Sequence, residues 1–488
     1  MLPVNYNPRT TPFQHQREAL EAGWRRPGFG YLLEMGLGKS RVLIDNFCLL
    51  HLHDRLEGLL VIAPKGVYTN WSRRDNENPG ELQRWLWSGI DETAYVHTWN
   101  RDDPKKSHAA HTALLDTTRP GVRVLVMNVE ALSMTAAATD LARRFLRAHR
   151  SMIVVDESTV MQDPRSTRTK RLLELSRLAA YRRILTGSPT KGLPTDLFCQ
   201  FEFLERGALG HRSYYTFRAA YCTMRDIIAN GRTVHMITGA KNTDQLAKII
   251  ERHSIRKRKA ECLDLPEKVY ERRSVELTAE QKRVYNEMRK TAMAEMDGEF
   301  STSQIVVTQL LRLHQILCGH LKLDDGEVIR LENNRIAALQ EVIDESDEST
   351  IIWCNYRSDI AAVSKFLRET YGRDCVAEWH GGVNQAERDA GELAFQAGEK
   401  RFMLASQQAG GRGRNWTKAT LVVYYSNNHD LELREQSEDR AHRIGQRNTV
   451  TYVDLVVPQS LDEKIINSLR TKKDVVRGIL QDGAAKWL

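Results

Sequence analysis

Tyr31-Leu32-Leu33-Glu34-Met35-Gly36-Leu37-Gly38-Lys39-Ser40 is the stretch whose reading decides the fold. A short apolar run of strand type ends in two glycines and a Lys-Ser pair. Val42, Leu43, Phe47 and Leu50 then recur with helical spacing. A strand, a Gly-x-Gly-Lys-Ser turn and a helix together form a cradle for a nucleotide phosphate. Glycines let backbone N–H groups approach the phosphate oxygens, the lysine reaches the outer phosphates, and the serine hydroxyl suits Mg²⁺. The strict phosphate-loop pattern has glycine where this chain has Leu33, so alone the stretch also fits a glycine turn that binds nothing.

The surroundings narrow the choice. A chain of 488 residues is too long for one ordinary domain, and 41% hydrophobic residues suffice for sizeable cores. No run approaches the ~20 apolar residues of a membrane span, and the polar start does not read as a signal peptide. Seven scattered cysteines without a Cys-x-x-Cys pair argue against a zinc ribbon or disulfide scaffold and fit a reducing cytoplasm. A net charge of +8 and a pI near 9.0 favour a polyanionic partner.

Upstream, residues 12–22 predict a helix, and Gln16 offers an amide donor and acceptor that suit an adenine edge. Downstream, apolar runs at 59–63, 122–127, 152–155 and 183–186 are separated by helix-length segments. That pattern predicts a parallel sheet covered on both faces, with ligands at the carboxyl ends of its strands. Asp156-Glu157 follows the third run: one acid suits Mg²⁺, the next the attacking water. Thr186-Gly187-Ser188-Pro189-Thr190 follows the fourth and supplies hydroxyls on a flexible turn. From 191 to about 265 the sheet pattern lapses into helix formers and aromatics. The basic run Arg252–Lys259 reads equally as a tracker of phosphate backbone or as a solvated face. Leu265-Pro266-Glu267-Lys268 reads as a linker.

A second series of apolar runs begins after a strand-like 273–277 and a long helical stretch to about 318. These runs cover 350–354, 375–379, 402–405, 421–425 and 450–455, with helices around 360–367 and 385–395. No second phosphate loop accompanies them. Instead there are a glycine-rich turn, Ala409–Trp416, and Gln436–Gln446, which places Arg440 and Arg443 three apart, on one face if helical. Such arginines suit charge on a transferring phosphoryl group. Ile465, Leu469, Val476 and Leu480 predict an amphipathic tail helix.

In this order the motifs resemble those of superfamily-2 helicases and, within them, the Swi/Snf family of ATP-driven DNA translocases. Gln16 matches the adenine-reading glutamine, and Glu34–Ser40 the family's phosphate loop, whose position 33 need not be glycine. Pro64, Lys65 and Trp71 resemble a DNA-contacting motif, Asp156-Glu157 the acidic motif and Leu185–Pro189 the coupling motif. Ala409–Asn415 resembles the glycine motif linking DNA and nucleotide. Gln436 with Asp439–Gln446, ending His-Arg-Ile-Gly-Gln, resembles the arginine-finger motif. Thr159 stands where the family has histidine, and Gln162-Asp163 where it often has Lys-Asn.

The resemblance implies two RecA-like α/β lobes with a cleft between them. Lobe 1 spans 1–265 with a helical insertion at about 191–260, and lobe 2 spans 266–488 with one at about 278–318. It implies ATP and Mg²⁺ as cofactors. Met35, Gly36, Leu37, Gly38, Lys39, Ser40 and Gly413 join Gln16 around ATP, and Ser40 and Asp156 hold the metal. Lys39, Asp156, Glu157, Arg440 and Arg443 are catalytic; Thr186, Gly187, Ser188 and Gln436 couple. Pro64, Lys65, Trp71, Gly410, Gly411 and Arg412 meet DNA. The expected activity is a DNA-stimulated ATPase translocating on double-stranded DNA and displacing bound proteins or DNA structures. A strand-separating or branch-migrating helicase on forked DNA or RNA is the alternative; a scaffold with a lapsed ATPase fits the intact catalytic set less well. The expected form is a monomeric bare motor of compact bacterial or phage type, cytoplasmic and nucleoid-associated, away from membranes and open to a recruiting protein.

Overall fold

A computed structural model describes residues 2–3, 6–54, 56–75, 79–100, 107–229, 232–297, 303–323, 325–410 and 415–479. The chain divides into two compact units. One comprises Met1–Thr223, Thr238–Leu263 and Asp474–Leu488; the other comprises Met224–Ile237 and Asp264–Lys473.

The first unit holds β1 (Gly28–Leu33), β2 (Gly58–Ala63), β3 (Tyr95–Thr98), β4 (Arg123–Asn128), β5 (Ser151–Asp156) and β6 (Tyr181–Leu185). β7 (Cys222–Ala229) and β8 (Arg232–Ala240), which fall mostly within the second unit's Met224–Ile237, form a separate two-stranded sheet, and β9 (Ser254–Lys257) returns to the first unit's main sheet. The seven strands lie in the order β3-β4-β2-β5-β6-β1-β9, every pair parallel. Alternate residues of the central strands enter opposite cores. Leu32, Leu60, Ile62, Ile153 and Val155 face one, and Tyr31, Leu33, Leu59, Val61 and Val154 face the other. Two buried faces explain why these strands read as continuous apolar runs rather than alternating ones.

The lapse in sheet pattern after residue 191 is only partly helical. Helices Phe198–Leu204, Tyr214–Tyr221 and Thr243–His253 are interrupted by β7 and β8. The basic run becomes β9, pairing Ser254–Lys257 with Gly30–Leu33. An edge strand needs only one neighbour, so its outer groups tolerate charge.

Arg183 fixes the base of this unit. It is fully buried, and its guanidinium donates to Asn46 Oδ1 (2.8 Å) and to the carbonyls of Gly23 (3.1 Å) and Trp24 (3.3 Å). Tyr31 donates to the same Asn46 oxygen at 3.1 Å. One cation thus binds the end of the first helix, the helix after the phosphate loop and β6, satisfying carbonyls that would otherwise be orphaned.

The second unit begins with β10 (Lys268–Ser274), a shift toward the N-terminus from the expected strand at 273–277. Helices Ala279–Asp297 and Ser303–Leu317 follow, then a small hairpin of β11 (His320–Lys322) and β12 (Val328–Arg330). β13 (Thr350–Cys354), β14 (Val376–Trp379), β15 (Phe402–Ser406), β16 (Leu421–Tyr424) and β17 (Val450–Val456) complete the strands. The main sheet runs β10-β17-β16-β13-β15-β14 and is again all parallel. Ile352, Leu404 and Val423 fill one of its faces, and Trp353, Met403 and Tyr424 the other. The tail helix spans Leu461–Ile479 and buries Ile465 and Leu469; Leu480 lies outside the described residues. Among the described residues no helix is long and apolar enough to cross a membrane, and all seven cysteines are free thiols.

Candidate functional site

The phosphate loop leaves the carboxyl end of β1 and turns into the helix Lys39–Asp54. Gly36 and Gly38 both have φ of 83°, a left-handed conformation that glycine adopts without steric cost. A Cβ at Gly38 would also lie 2.3 Å from Gln16 Nε2, so a side chain there would push that amide off the loop. Gln16 lies against the loop, with Nε2 donating to Leu37 O (3.1 Å) and Oε1 accepting from Phe13 N (3.1 Å). Each end of that amide retains one further hydrogen-bonding position, so the helix-start glutamine braces the loop and can still meet a base. His15 Nε2 lies 3.1 Å from the same Leu37 carbonyl. Burial pushes the His15 pKa below its ordinary value, so the ring is a neutral donor at pH 7.

The edge strand holds the loop from its other side. Glu34 N donates to Lys257 O (3.0 Å), and Glu34 Oε2 accepts from Lys259 N (2.9 Å). Lys257 in turn pairs with Glu18. In this structure the basic run of 252–259 thus fastens the phosphate loop.

Asp156 ends β5, the central strand of the sheet. Its Oδ2 accepts from the Trp71 indole N–H (3.0 Å) and its Oδ1 from Glu157 N (3.0 Å). Burial raises the carboxyl above the usual carboxylate range, while the Lys39 charge and the Trp71 bond pull it back. Glu157 has φ of 47° and ψ of 64°, a left-handed backbone rare outside glycine. That turn aims its carboxylate at Lys39, Oε1 to Nζ 3.9 Å, with both side chains mostly enclosed. Lys39, Asp156 and Glu157 are therefore brought together. Ser40, at the start of the adjoining helix, is half-buried. Met35 and Gly36 are likewise partly exposed, and Leu37 is fully buried.

Of the residues expected to couple, Gly187 lies against the same loop. A Cβ at Gly187 would stand 3.3 Å from Glu34 Cα and Met35 N, a tight contact that the phosphate-loop backbone would have to yield to. Thr186 Oγ1 accepts from Ser188 N at 3.2 Å. Pro64 is buried and Lys65 exposed at the end of β2. Trp71 is placed differently from a residue facing DNA: it is 1% exposed, and its polar atom is spent on Asp156.

In the second unit the helix Leu431–Glu438 ends before the two arginines, so Arg440 and Arg443 share a turn rather than a helix face. Arg440 is 1% exposed, its Nε donating to Gln436 O (3.1 Å), whereas Arg443 is half-exposed. Gln436 is buried and donates to Glu432 Oε1 (3.0 Å). Gly410 is packed so that a Cβ would meet Trp416 at 2.8 Å and Trp353 at 2.9 Å. Gly411, Arg412 and Gly413 lie outside the described residues. Two tethers escaped sequence reading: Lys268 Nζ reaches Glu438 Oε2 (3.0 Å), and His442 Nε2 lies 2.7 Å from Pro266 O.

The model of the SNF2-related domain matches residues 20–322, and that of the helicase conserved C-terminal domain matches 334–445. The chain belongs to the SNF2 family. Each of its two units carries an all-parallel sheet flanked by helices. The chain is 27% identical over 484 residues to YwqA of Bacillus subtilis (strain 168), provisionally named an ATP-dependent helicase/translocase. That match covers 95% of this chain and 48% of YwqA. To ZRANB3 of Mus musculus, a DNA annealing helicase and endonuclease, it is 26% identical, covering 100% of this chain and 43% of the relative. The chain thus spans about half the length of the curated relatives it matches. A solved structure of the Sulfolobus solfataricus SWI2/SNF2 ATPase core in complex with dsDNA aligns with a TM-score of 0.44 and 23% identity. That alignment covers 99% of this chain and 96% of the other.

Proposed function

We propose that this SNF2 chain is a Mg²⁺-dependent, DNA-stimulated ATPase that translocates on double-stranded DNA and displaces bound proteins or DNA structures. The observation that carries the reading is the assembly of Lys39, Asp156 and Glu157 around a loop held open by Gly36 and Gly38. Lys39 meets the outer phosphates, and Glu157, held by its left-handed turn, orients the attacking water. Arg440 and Arg443 supply positive charge to the phosphoryl group in transfer.

The residues fit Mg²⁺: the Ser40 hydroxyl and Asp156 carboxylate are hard oxygen donors that would hold the ion beside the nucleotide phosphates. When bound it neutralises phosphate charge. Trp71 and the Glu157 amide keep the acid oriented.

Double-stranded DNA is the proposed track, supported by family membership and the +8 charge. Lys65 and the glycine motif around Gly410 are its proposed contacts, with Thr186, Gly187, Ser188 and Gln436 passing the nucleotide state onward. A monomer working in the bacterial or phage-infected cytoplasm and recruited by a protein partner is part of the same proposal. Displacement of a third strand from a triplex, without unwinding of forks, is expected; unwinding of forks without triplex displacement would favour the strand-separating alternative. Lys39→Ala and Glu157→Gln should each abolish hydrolysis, and turnover at the wild-type rate in both would refute the site. Arg443→Ala should bind ATP and fail to turn it over; loss of binding alone would assign it another role.

A further inference from the structure

Gln200 is fully buried in the short helix Phe198–Leu204 and carries no role in the site as described so far. Its amide is spent on two functional segments at once. Oε1 accepts from the Ser158 hydroxyl at 2.6 Å, while Nε2 donates to Pro189 O (2.6 Å) and Asp196 O (2.7 Å). Ser158 directly follows Glu157, and Pro189 ends the Thr186-Gly187-Ser188 turn.

The turn beyond Pro189 is internally tied. Asp196 Oδ2 accepts from Lys191 N (2.7 Å) and from the Thr190 hydroxyl (3.1 Å), which also donates to Leu193 O (2.8 Å). These bonds tie residues 190–196 into one turn. At its other end Gly187 lies against the backbone of Glu34 and Met35.

We propose that Gln200 is a positioning residue for ATP hydrolysis: through Ser158 and Pro189 it locks the Glu157 turn to the loop that touches the phosphate loop. The contacts then form a closed ring. Phosphate-loop backbone meets Gly187, the 186–190 loop leads to Gln200, Gln200 holds Ser158 beside Glu157, and Glu157 returns to Lys39. A left-handed glutamate needs surrounding structure to hold it, and here the bridge one residue on does so. Thr159 stands where the family has histidine, so this chain joins its acidic turn to the neighbouring loop through Ser158 and Gln200.

The kinetic arm rests on the ATPase reading; amide hydrogen exchange does not, so the two fail separately. Ser158→Ala, which deletes only the hydroxyl, should raise exchange in both 157–161 and 186–192. It should lower basal kcat about tenfold, the cost of about one hydrogen bond, with KM for ATP unchanged. Ser158→Thr, which keeps the hydroxyl, should restore both. Gln200→Leu should reproduce the pattern, and the double variant should be no worse than Gln200→Leu alone. Exchange changes confined to 157–161 in Ser158→Ala would overturn the proposal, as would an unchanged kcat in an ATPase-active protein. Should Gln200→Leu fail to fold, Ser158→Ala and Ser158→Thr decide the matter. If the wild type does not hydrolyse ATP, the functional reading falls and exchange still decides the bridge.

Discussion

Trp71→Phe separates two roles for one side chain. The indole N–H donates to Asp156 Oδ2 at 3.0 Å, and the ring is 1% exposed. Phenylalanine keeps most of the buried ring and removes only the donor. A hydrogen bond to a charged group contributes about 1.5–3 kcal/mol. That corresponds to a roughly 10- to 150-fold loss of turnover if Asp156 must be held for the metal. Steady-state ATPase titrated with Mg²⁺ is the assay, and duplex binding by fluorescence anisotropy is the control. A lower rate with a higher Mg²⁺ requirement and unchanged DNA affinity is expected. Wild-type Mg²⁺ dependence with weakened DNA binding would refute the reasoning and return Trp71 to the DNA-contacting role that the sequence suggested.

Other perturbations test the scaffold. Gly38→Ala places a side chain at φ of 83° and 2.3 Å from Gln16 Nε2, so ATP affinity should fall roughly 5- to 30-fold, from about 1–2 kcal/mol of backbone strain; wild-type affinity by titration calorimetry would contradict it. Arg335 is fully buried and binds Asp462 along with the carbonyls of Leu317, Tyr425 and Leu455. Arg335→Met leaves that acid with only the Val457 amide and the His314 ring beside it and should cost about 3–5 kcal/mol in urea unfolding; a loss below about 1 kcal/mol would contradict it. Burial raises Asp359, which faces His320 Nδ1 at 3.3 Å, to about 7. A raised acid contributes stability present below its unfolded pKa and lost as pH rises through the folded value. Stability should therefore decline between about pH 4 and 7, by at most about 4 kcal/mol from this group. Asp359→Asn should flatten that slope, and an unaltered slope in unfolding midpoints across the range would refute the assignment.

The central strands were legible because burial on both faces makes them apolar without interruption. Gly58–Ala63 and Thr350–Cys354 are buried throughout. Three of the four edge strands of the two main sheets were not. Tyr95–Thr98 is short and half-buried, Ser254–Lys257 reads as a charge run, and Lys268–Ser274 is mostly exposed. Each bonds one neighbour and owes little to hydrophobic pattern. The chemical groups stood out because phosphate and metal chemistry demands particular residue types at short spacing, as in Gly36–Ser40 and Asp156-Glu157. Their supports were hidden by distance along the chain: Trp71 is 85 residues from Asp156, and Gln200 is 42 from Ser158. A tryptophan or glutamine alone gives no sign of its partner. Arg440 and Arg443 were found by motif, but the end of their helix at Glu438 was not.

The most direct test is steady-state ATP hydrolysis by the wild-type chain with Mg²⁺ and, in turn, no nucleic acid, single-stranded DNA, duplex DNA, forked DNA and RNA. Duplex DNA should raise the rate well above that without nucleic acid, and forks or RNA should add nothing beyond it. A rate with duplex equal to that in buffer would contradict the account.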